Sequence, residues 1–199
     1  MILQKLKEET RSQHEGLETV VDVMNKMFTL EDYKTLLGKF YRFYAAVEPK
    51  LPIAELKEAG FDYQLRLKLP SLEADLKHLG VLEEVKATSS FEQTPDTSSV
   101  SKAFGSAYVI EGSTLGGQVI TRHLKEHLDL TPEAGGAFFN SYGHMVGPMW
   151  KEFGAAITAY SEANEGEDET IVQSARDTFD SFKAAFNEPL AKGMDNANN

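Results

Sequence analysis

The chain has 199 residues, 41% of them hydrophobic, and a formal charge of −11. That length supports one domain with a full core, and the acidity argues against broad contact with nucleic acid, whose phosphates require a basic surface. There is no cysteine, which removes disulfides, thiolate metal sites and cysteine nucleophiles. No apolar run reaches the length of a membrane span. Residues 1–9 are already charged and amphipathic, without the uncharged centre of a secretory signal. The default expectation is a cytoplasmic location with no membrane association.

Helical periodicity dominates the chain. Leu3, Leu6, Thr10, His14, Leu17, Val21 and Met24 step by three and four residues, the stripe of one amphipathic helix. A second helix opens at Thr29, an N-cap with Asp32 three residues on, and buries Leu36, Leu37, Phe40, Tyr44 and Val47 before Pro49 and Pro52 end it. Leu65, Leu69, Leu72, Leu76 and Leu79 continue the pattern over about 62–79, with Pro70 expected to kink or break the helix and Gly80 suited to its C′ position. The polar stretch from Glu83 to Ser98 reads as a long surface loop.

A helix beginning near Val100 then runs to Leu128. Thr131-Pro132-Glu133 has the form of another helix start, and Pro148 is expected to bend that helix. A final helix carries Ile171, Ala175, Thr178, Phe179, Phe182 and Phe186. Residues 191–199 read as a frayed tail. No stretch alternates long enough for a strand. The expectation is an all-α single domain spanning 1–199, with roughly six to eight helices.

Glu111-Gly112-Ser113-Thr114-Leu115-Gly116-Gly117 interrupts the helix after Val100 with three glycines. Each interior glycine costs about 1 kcal/mol relative to alanine. A helix carries that cost where it must bend or where something must approach its backbone closely. Gly112 and Gly116 open the same face. Small-residue helix packing explains them equally well at this level.

His14 lies on the inward stripe of the first helix. It is either a core histidine bonded to a neighbour or a metal ligand. Lys7, Arg11 and Glu18 fall on or near its face. Glu18 is placed to accept the second ring proton of a ligating imidazole, and the two cations suit an anionic ligand. A metalloporphyrin meets all three requirements: an apolar disc, one axial position for imidazole, and carboxylates at one edge. Glycines would let a second helix reach its opposite face.

The chain resembles the haem oxygenases, most closely the bacterial branch found with bacteriophytochromes or haem-uptake systems. The similarity spans nearly all of it. It rests on LKEETRSQHEGLE at 6–18, Arg66, LEADLKHLG at 72–80, YVIEGSTLGGQVI at 108–120, GPMWKEF at 147–153 and ARDTF at 175–179. The resemblance implies a haem-oxygenase-like bundle with a kinked, Gly-rich distal helix. It makes His14 the iron ligand, and Lys7 and Arg11 the partners of the haem propionates. Gly112, Gly116 and Gly117 become the distal contacts, and Tyr108, Glu18 and Phe179 join the cofactor-binding set. Many relatives carry Asp where this chain has Ser113. The resemblance therefore implies a distal water network held by Ser113, Thr114 and Arg66, with Lys151 and Arg122 as candidates for the propionate edge.

The implied activity is cleavage of haem b, both substrate and cofactor, to biliverdin, carbon monoxide and iron. Electrons would come from a ferredoxin or flavodoxin system or ascorbate, and a bacteriophytochrome would be a possible biliverdin acceptor.

Other readings compete. His123-Leu124-Lys125-Glu126-His127 matches the H-x-x-E-H pattern of a zinc hydrolase, but lacks a nameable third ligand. No paired Glu-x-x-His motif supports a di-iron bundle. A haem carrier, or a thiaminase-type enzyme on the same fold, keeps the architecture and changes the activity. His78 and His144 carry no assigned role.

Overall fold

A computed structural model describes residues 1–22 and 29–190. Met24 and the terminal segment 191–199, assigned above to a helical stripe and a frayed tail, lie outside the described residues. The architecture is all-α, with no β-strand among those residues. Seven of the described helices run ten residues or longer. No described helix is long and apolar enough to cross a membrane.

The N-terminal stripe forms two helices, α1 (Ile2–Glu9) and α2 (Arg11–Val21), where periodicity alone suggests one. Thr10 makes the break. Its φ of −108° and ψ of 6° leave the helical region, and its hydroxyl donates to the Leu6 carbonyl at 2.7 Å. Arg176 satisfies the neighbouring carbonyl, donating from Nε to Glu9 O at 3.1 Å and from Nη2 to the Glu9 carboxylate at 2.6 Å. A tertiary partner thus fixes a break that local propensity does not require.

Helix α3 (Leu30–Val47) starts as its sequence indicates. Thr29 Oγ1 accepts from Asp32 N at 3.1 Å, and Thr29 N donates to Asp32 Oδ2 at 2.9 Å. The chain continues through α4 (Ile53–Glu58), a 3₁₀ turn at Tyr63–Arg66 and α5 (Leu69–His78). Pro70 therefore begins a helix rather than kinking one, since its missing N–H costs nothing in the first turn. Gly80 adopts φ +74° just beyond the α5 C-cap, as expected of a C′ glycine. Part of the predicted surface loop is helical: α6 (Leu82–Thr88) is anchored by fully buried Val85.

Helix α7 (Val100–Ser113) passes through a 3₁₀ turn at Thr114–Gly116 into α8 (Gly117–Leu128), which gives the distal kink. Thr131-Pro132-Glu133 does not start a helix. It forms a tight turn in which Ala134 N and Gly136 N both donate to Thr131 O at 2.9 Å. The short helix α9 (Ala137–Asn140) comes after two glycines, and α10 (Val146–Ala163) takes Pro148 within its first turn, where the bend is unnecessary. Helix α11 (Asp168–Asn187) packs against both α7 and α2 and is the spine of the bundle.

The core is strongly aromatic. Phe43 stacks on Phe182 at 3.9 Å, and Phe40, Tyr44, Phe138, Phe139 and Phe186 surround the pair. Burying each such ring contributes about 1.5–3 kcal/mol. A second cluster joins Phe61, Phe104, Phe153 and Tyr160.

Two helices receive their caps from distant carboxylates. Lys68 and Gly136 provide no side-chain cap for α5 and α9. Glu48 instead accepts from Lys68 N at 2.6 Å and Leu69 N at 2.9 Å, and Asp75 accepts from Ala137 N at 2.9 Å and Phe138 N at 2.8 Å. Burial raises the pKa of both carboxyls, with these amide donors opposing the shift.

Asp75→Ala should destabilise the protein by about 1–3 kcal/mol, the scale of two hydrogen bonds to a carboxyl group, as read by urea denaturation. Because the native Asp75 carboxyl holds its proton to higher pH than the unfolded one, its contribution is greatest below the unfolded pKa. The stability gap between wild type and variant should therefore narrow as pH rises from the ordinary carboxylate range through the raised native value. A gap that widens over that interval would contradict this account.

Candidate functional site

A cavity of about 1030 Å³ opens between α2, the distal kink and α11. It lies at the top of the roughly 300–1,000 Å³ usual for small-molecule clefts. Its walls are largely apolar and aromatic, including Phe40, Tyr44, Phe138, Trp150, Phe179 and Phe182.

Helix α2 brings His14 to this cavity. Phe179 on α11 meets the imidazole edge-on, at 5.8 Å and 84°, and so limits its orientation. The side chain is 56% exposed, with Nδ1 3.6 Å from Glu18 Oε2. That separation is within ion-pair range and longer than a hydrogen bond. His14 is thus not a buried core histidine with a backbone partner; its ring stands at the edge of the cavity. The charges lining the cavity from α1 and α2 are ordered along the chain. Lys7 and Arg11 precede His14, and Glu15, Glu18 and Asp22 come after it.

The three distal glycines have different environments. Around Gly116 an added Cβ would meet nothing within 4 Å, so its bare backbone faces the cavity. At Gly112 it would sit 3.8 Å from the Trp150 ring, an ordinary contact. At Gly117 it would fall 2.1 Å from the Phe139 carbonyl oxygen. Gly117 is therefore required by the packing of α8 on α9, whatever occupies the cavity.

Ser113 and Thr114 turn their hydroxyls back on the helix. Ser113 Oγ donates to Ile110 O and Thr114 Oγ1 to Glu111 O, both at 2.7 Å. Such back-bonding offers the chain an alternative to regular helix and favours the bend. Tyr44 OH lies 3.3 Å from Ser113 Oγ, and its burial raises the phenol pKa.

Arg66 does not line the cavity. It lies behind the distal helix, nearly fully buried, donating from Nη1 to Glu111 Oε2 at 2.7 Å and to Met149 O at 3.1 Å. Lys68, which sequence reasoning did not single out, does line it. Its Nζ donates to Glu111 Oε1 at 2.7 Å, to Arg66 O at 2.6 Å and to Tyr142 OH. Desolvation lowers the Lys68 pKa, and the Glu111 carboxylate partly restores it. Tyr142 OH donates in turn to Glu111 Oε1 at 2.7 Å. Lys151 and Arg122 are exposed and outside the cavity lining, whereas Tyr108 and Phe179 are part of it.

His123 and His127 stack at 4.1 Å on α8. No group of three or more potential metal ligands occurs among the described residues.

The family model for Heme oxygenase matches residues 1–188. The chain belongs to the haem oxygenase family. It is 35% identical over 96 residues to a heme oxygenase from Xanthomonas campestris pv. campestris (strain 8004), a match covering 48% of this chain and 54% of that protein. The match thus spans about half the length of this curated relative. The fold of this haem oxygenase family member is similar to that of the NO- and CO-bound heme oxygenase from Neisseria meningitidis. The TM-score is 0.76 at 23% identity, over 94% of this chain and 90% of that one. It is also similar to heme oxygenase 2 from Chlamydomonas reinhardtii solved without heme, at a TM-score of 0.75 and 18% identity, over 96% of this chain and 99% of the other.

The two clustered glycines should separate by experiment. Gly117→Ala should lose at least about 2 kcal/mol of stability in thermal or urea unfolding, because backbone must move to admit the methyl. Gly116→Ala should unfold within about 0.5 kcal/mol of wild type. Equal stabilities for the two variants would contradict the assigned contacts.

Proposed function

We propose that this protein is a haem oxygenase that binds haem b in the cavity as substrate and cofactor. It opens the ring in an O₂- and electron-dependent reaction to biliverdin, carbon monoxide and iron. The observation that carries this reading is the joint presence of His14 and the bare Gly116 backbone on one large apolar cavity. The residues present fit a porphyrin: aromatic walls for the disc, an uncommitted imidazole for the metal, and two cations for carboxylates.

His14 would ligate through Nε2, since Glu18 faces Nδ1. A neighbouring carboxylate favours the tautomer with its proton on Nδ1. The bound iron supplies the oxygen chemistry, for which a neutral histidine ligand leaves it suited. Phe179 holds the imidazole plane. Lys7 and Arg11 receive the propionates, while Glu15, Glu18 and Asp22 repel them from the other end of α2. The phenylalanines exclude bulk water, and Gly116 admits the ring edge without a side chain between. Electrons come from an external donor of the ferredoxin or flavodoxin class, for which ascorbate is a chemical substitute.

A carrier that holds haem without turnover is favoured by one observation: the Ser113 proton is committed to Ile110 O, so Ser113 does not act as a free donor. Turnover distinguishes the two. Hemin added to the purified protein should give a Soret band. Ascorbate or a ferredoxin system with O₂ should then convert that band to a biliverdin spectrum. A stable Soret band that never decays would support the carrier. His14→Ala should change the axial-ligand spectrum and lose turnover by at least tenfold, with imidazole restoring part of the wild-type spectrum. An unchanged spectrum would assign the ligand to another residue.

A further inference from the structure

Six residues lining the cavity carry hydroxyls: Thr10, Tyr44, Tyr108, Ser113, Thr114 and Ser141. Four have hydrogen-bonded protein partners. Thr10, Ser113 and Thr114 each donate to a backbone carbonyl at 2.7 Å. Tyr44 is paired with Ser113, and Tyr108 lies beside Thr10, which opposes the rise that burial gives its pKa. Lys68 also faces the cavity, but its three protons go to Arg66 O, Glu111 and Tyr142. Ser141 differs. In this rotamer its Oγ is closed to water, from the cavity side as well, and has no hydrogen-bond partner among the described residues. Buried hydroxyls are usually satisfied, so an orphan calls for a partner from outside the chain.

The backbone gives a second, independent indication. Ser141 has φ +47° and ψ −112°, a region that glycine enters far more readily than serine. A glycine here would close α9 with less strain and supply the same N–H, which donates to Ala137 O at 2.9 Å and Phe138 O at 3.2 Å. Serine adds only a hydroxyl. Strained residues of this kind cluster at ligand sites.

The turn is also firmly positioned. The Phe139 carbonyl fills the space beside Gly117. Gln118 Nε2 on α8 donates to Asn140 O at 3.3 Å and Gly143 O at 3.1 Å. Ser141 is thus held to the helix that begins at the kink, and Tyr142 ties the same turn to Glu111. No hydrogen bond fixes the Ser141 χ1, so a change of staggered rotamer is what brings its hydroxyl to the cavity.

We propose that Ser141 is the distal hydrogen-bond donor of this cavity, holding the water or small oxygen ligand that binds beside the Gly116–Gly117 kink. It takes the part that Ser113 leaves open. This assignment rests on haem occupying the cavity. Ser141 supplies a proton-bearing oxygen from a turn outside the distal helix, and the saturated Lys68–Tyr142–Glu111 cluster keeps that turn in place.

The test uses the hemin complex of the full chain and fluoride, a small ligand whose affinity depends on hydrogen-bond donors around it. Ser141→Ala and Ser141→Gly should each raise the fluoride dissociation constant by about tenfold, the scale of one lost hydrogen bond, as followed by the shift in the visible spectrum. Ser141→Gly should also unfold at a higher temperature than wild type, because it relieves the positive φ. That gain separates loss of a donor from loss of folding. An intact Soret band with unchanged fluoride affinity in Ser141→Gly would overturn the role of Ser141 alone. Absence of a Soret band in the wild-type protein would overturn the haem reading and this one with it.

Discussion

The distal side of the molecule depends on one buried carboxylate. Glu111 sits immediately before the glycine stretch and receives Arg66 on one oxygen, and Lys68 and Tyr142 on the other. These partners come from the segment before α5 and the turn after α9, so a single group ties three parts of the chain together. Each buried charge loses several kcal/mol of hydration, and the ion pairs recover it only where geometry is good. An apolar replacement of similar shape would be about as stable. What the cluster adds is position: it sets the register of α7 against the 140–143 turn, and hence where the kink lies. Removing Glu111 would leave the buried Arg66 and Lys68 cations without the carboxylate they share.

The kink itself arises from local chemistry acting on that fixed frame. Ser113 and Thr114 satisfy carbonyls one turn back, which lets the chain tighten to 3₁₀ geometry without losing hydrogen bonds. Gly117 then allows α8 to seat against the Phe139 carbonyl, and Gly116 is left facing the cavity. The glycine spacing therefore serves two purposes that pattern cannot separate. One glycine is a packing requirement and one is an opening, although they are adjacent in sequence.

Features decided within a few residues are legible in the sequence. The Thr29–Asp32 capping box, the C′ glycine at Gly80, the helical stripe carrying His14 and the interrupted distal helix all obey short-range rules. Features decided by distant partners are not legible. Thr10 breaks the first stripe with help from Arg176, which lies at the far end of the chain. Pro70 breaks the 62–79 stretch by opening a helix, whereas Thr131-Pro132-Glu133, read as a helix start, forms a turn instead. Glu48 and Asp75 supply caps that no local window contains. The same limit applies to the site. The Lys7, Arg11 and His14 set is visible as a helix face, whereas Lys68 reaches the cavity only through its tertiary partners. Arg66 is drawn away from it by Glu111. Ser141 lies in Asn140-Ser141-Tyr142-Gly143, a turn-like sequence, and the turn signal is masked by the aromatic pattern around it.

The electrostatics of the cavity can be weighed against the acidic exterior. A formal charge of −11 should oppose an anionic ligand if its field acted as a whole. At physiological ionic strength the screening length is about 8 Å, so most of that charge is not felt at the mouth. What remains is the local order along α1 and α2, with Lys7 and Arg11 before His14 and Glu15, Glu18 and Asp22 after it. An exposed pair of opposite charges contributes about 0.2–1 kcal/mol, because water screens it. Short contacts of this kind outweigh the screened remainder. Were haem bound there as proposed, the charge order along α1 and α2 would orient it, with a carboxylate-bearing edge favoured at the Lys7 and Arg11 end and meeting like charge at the other.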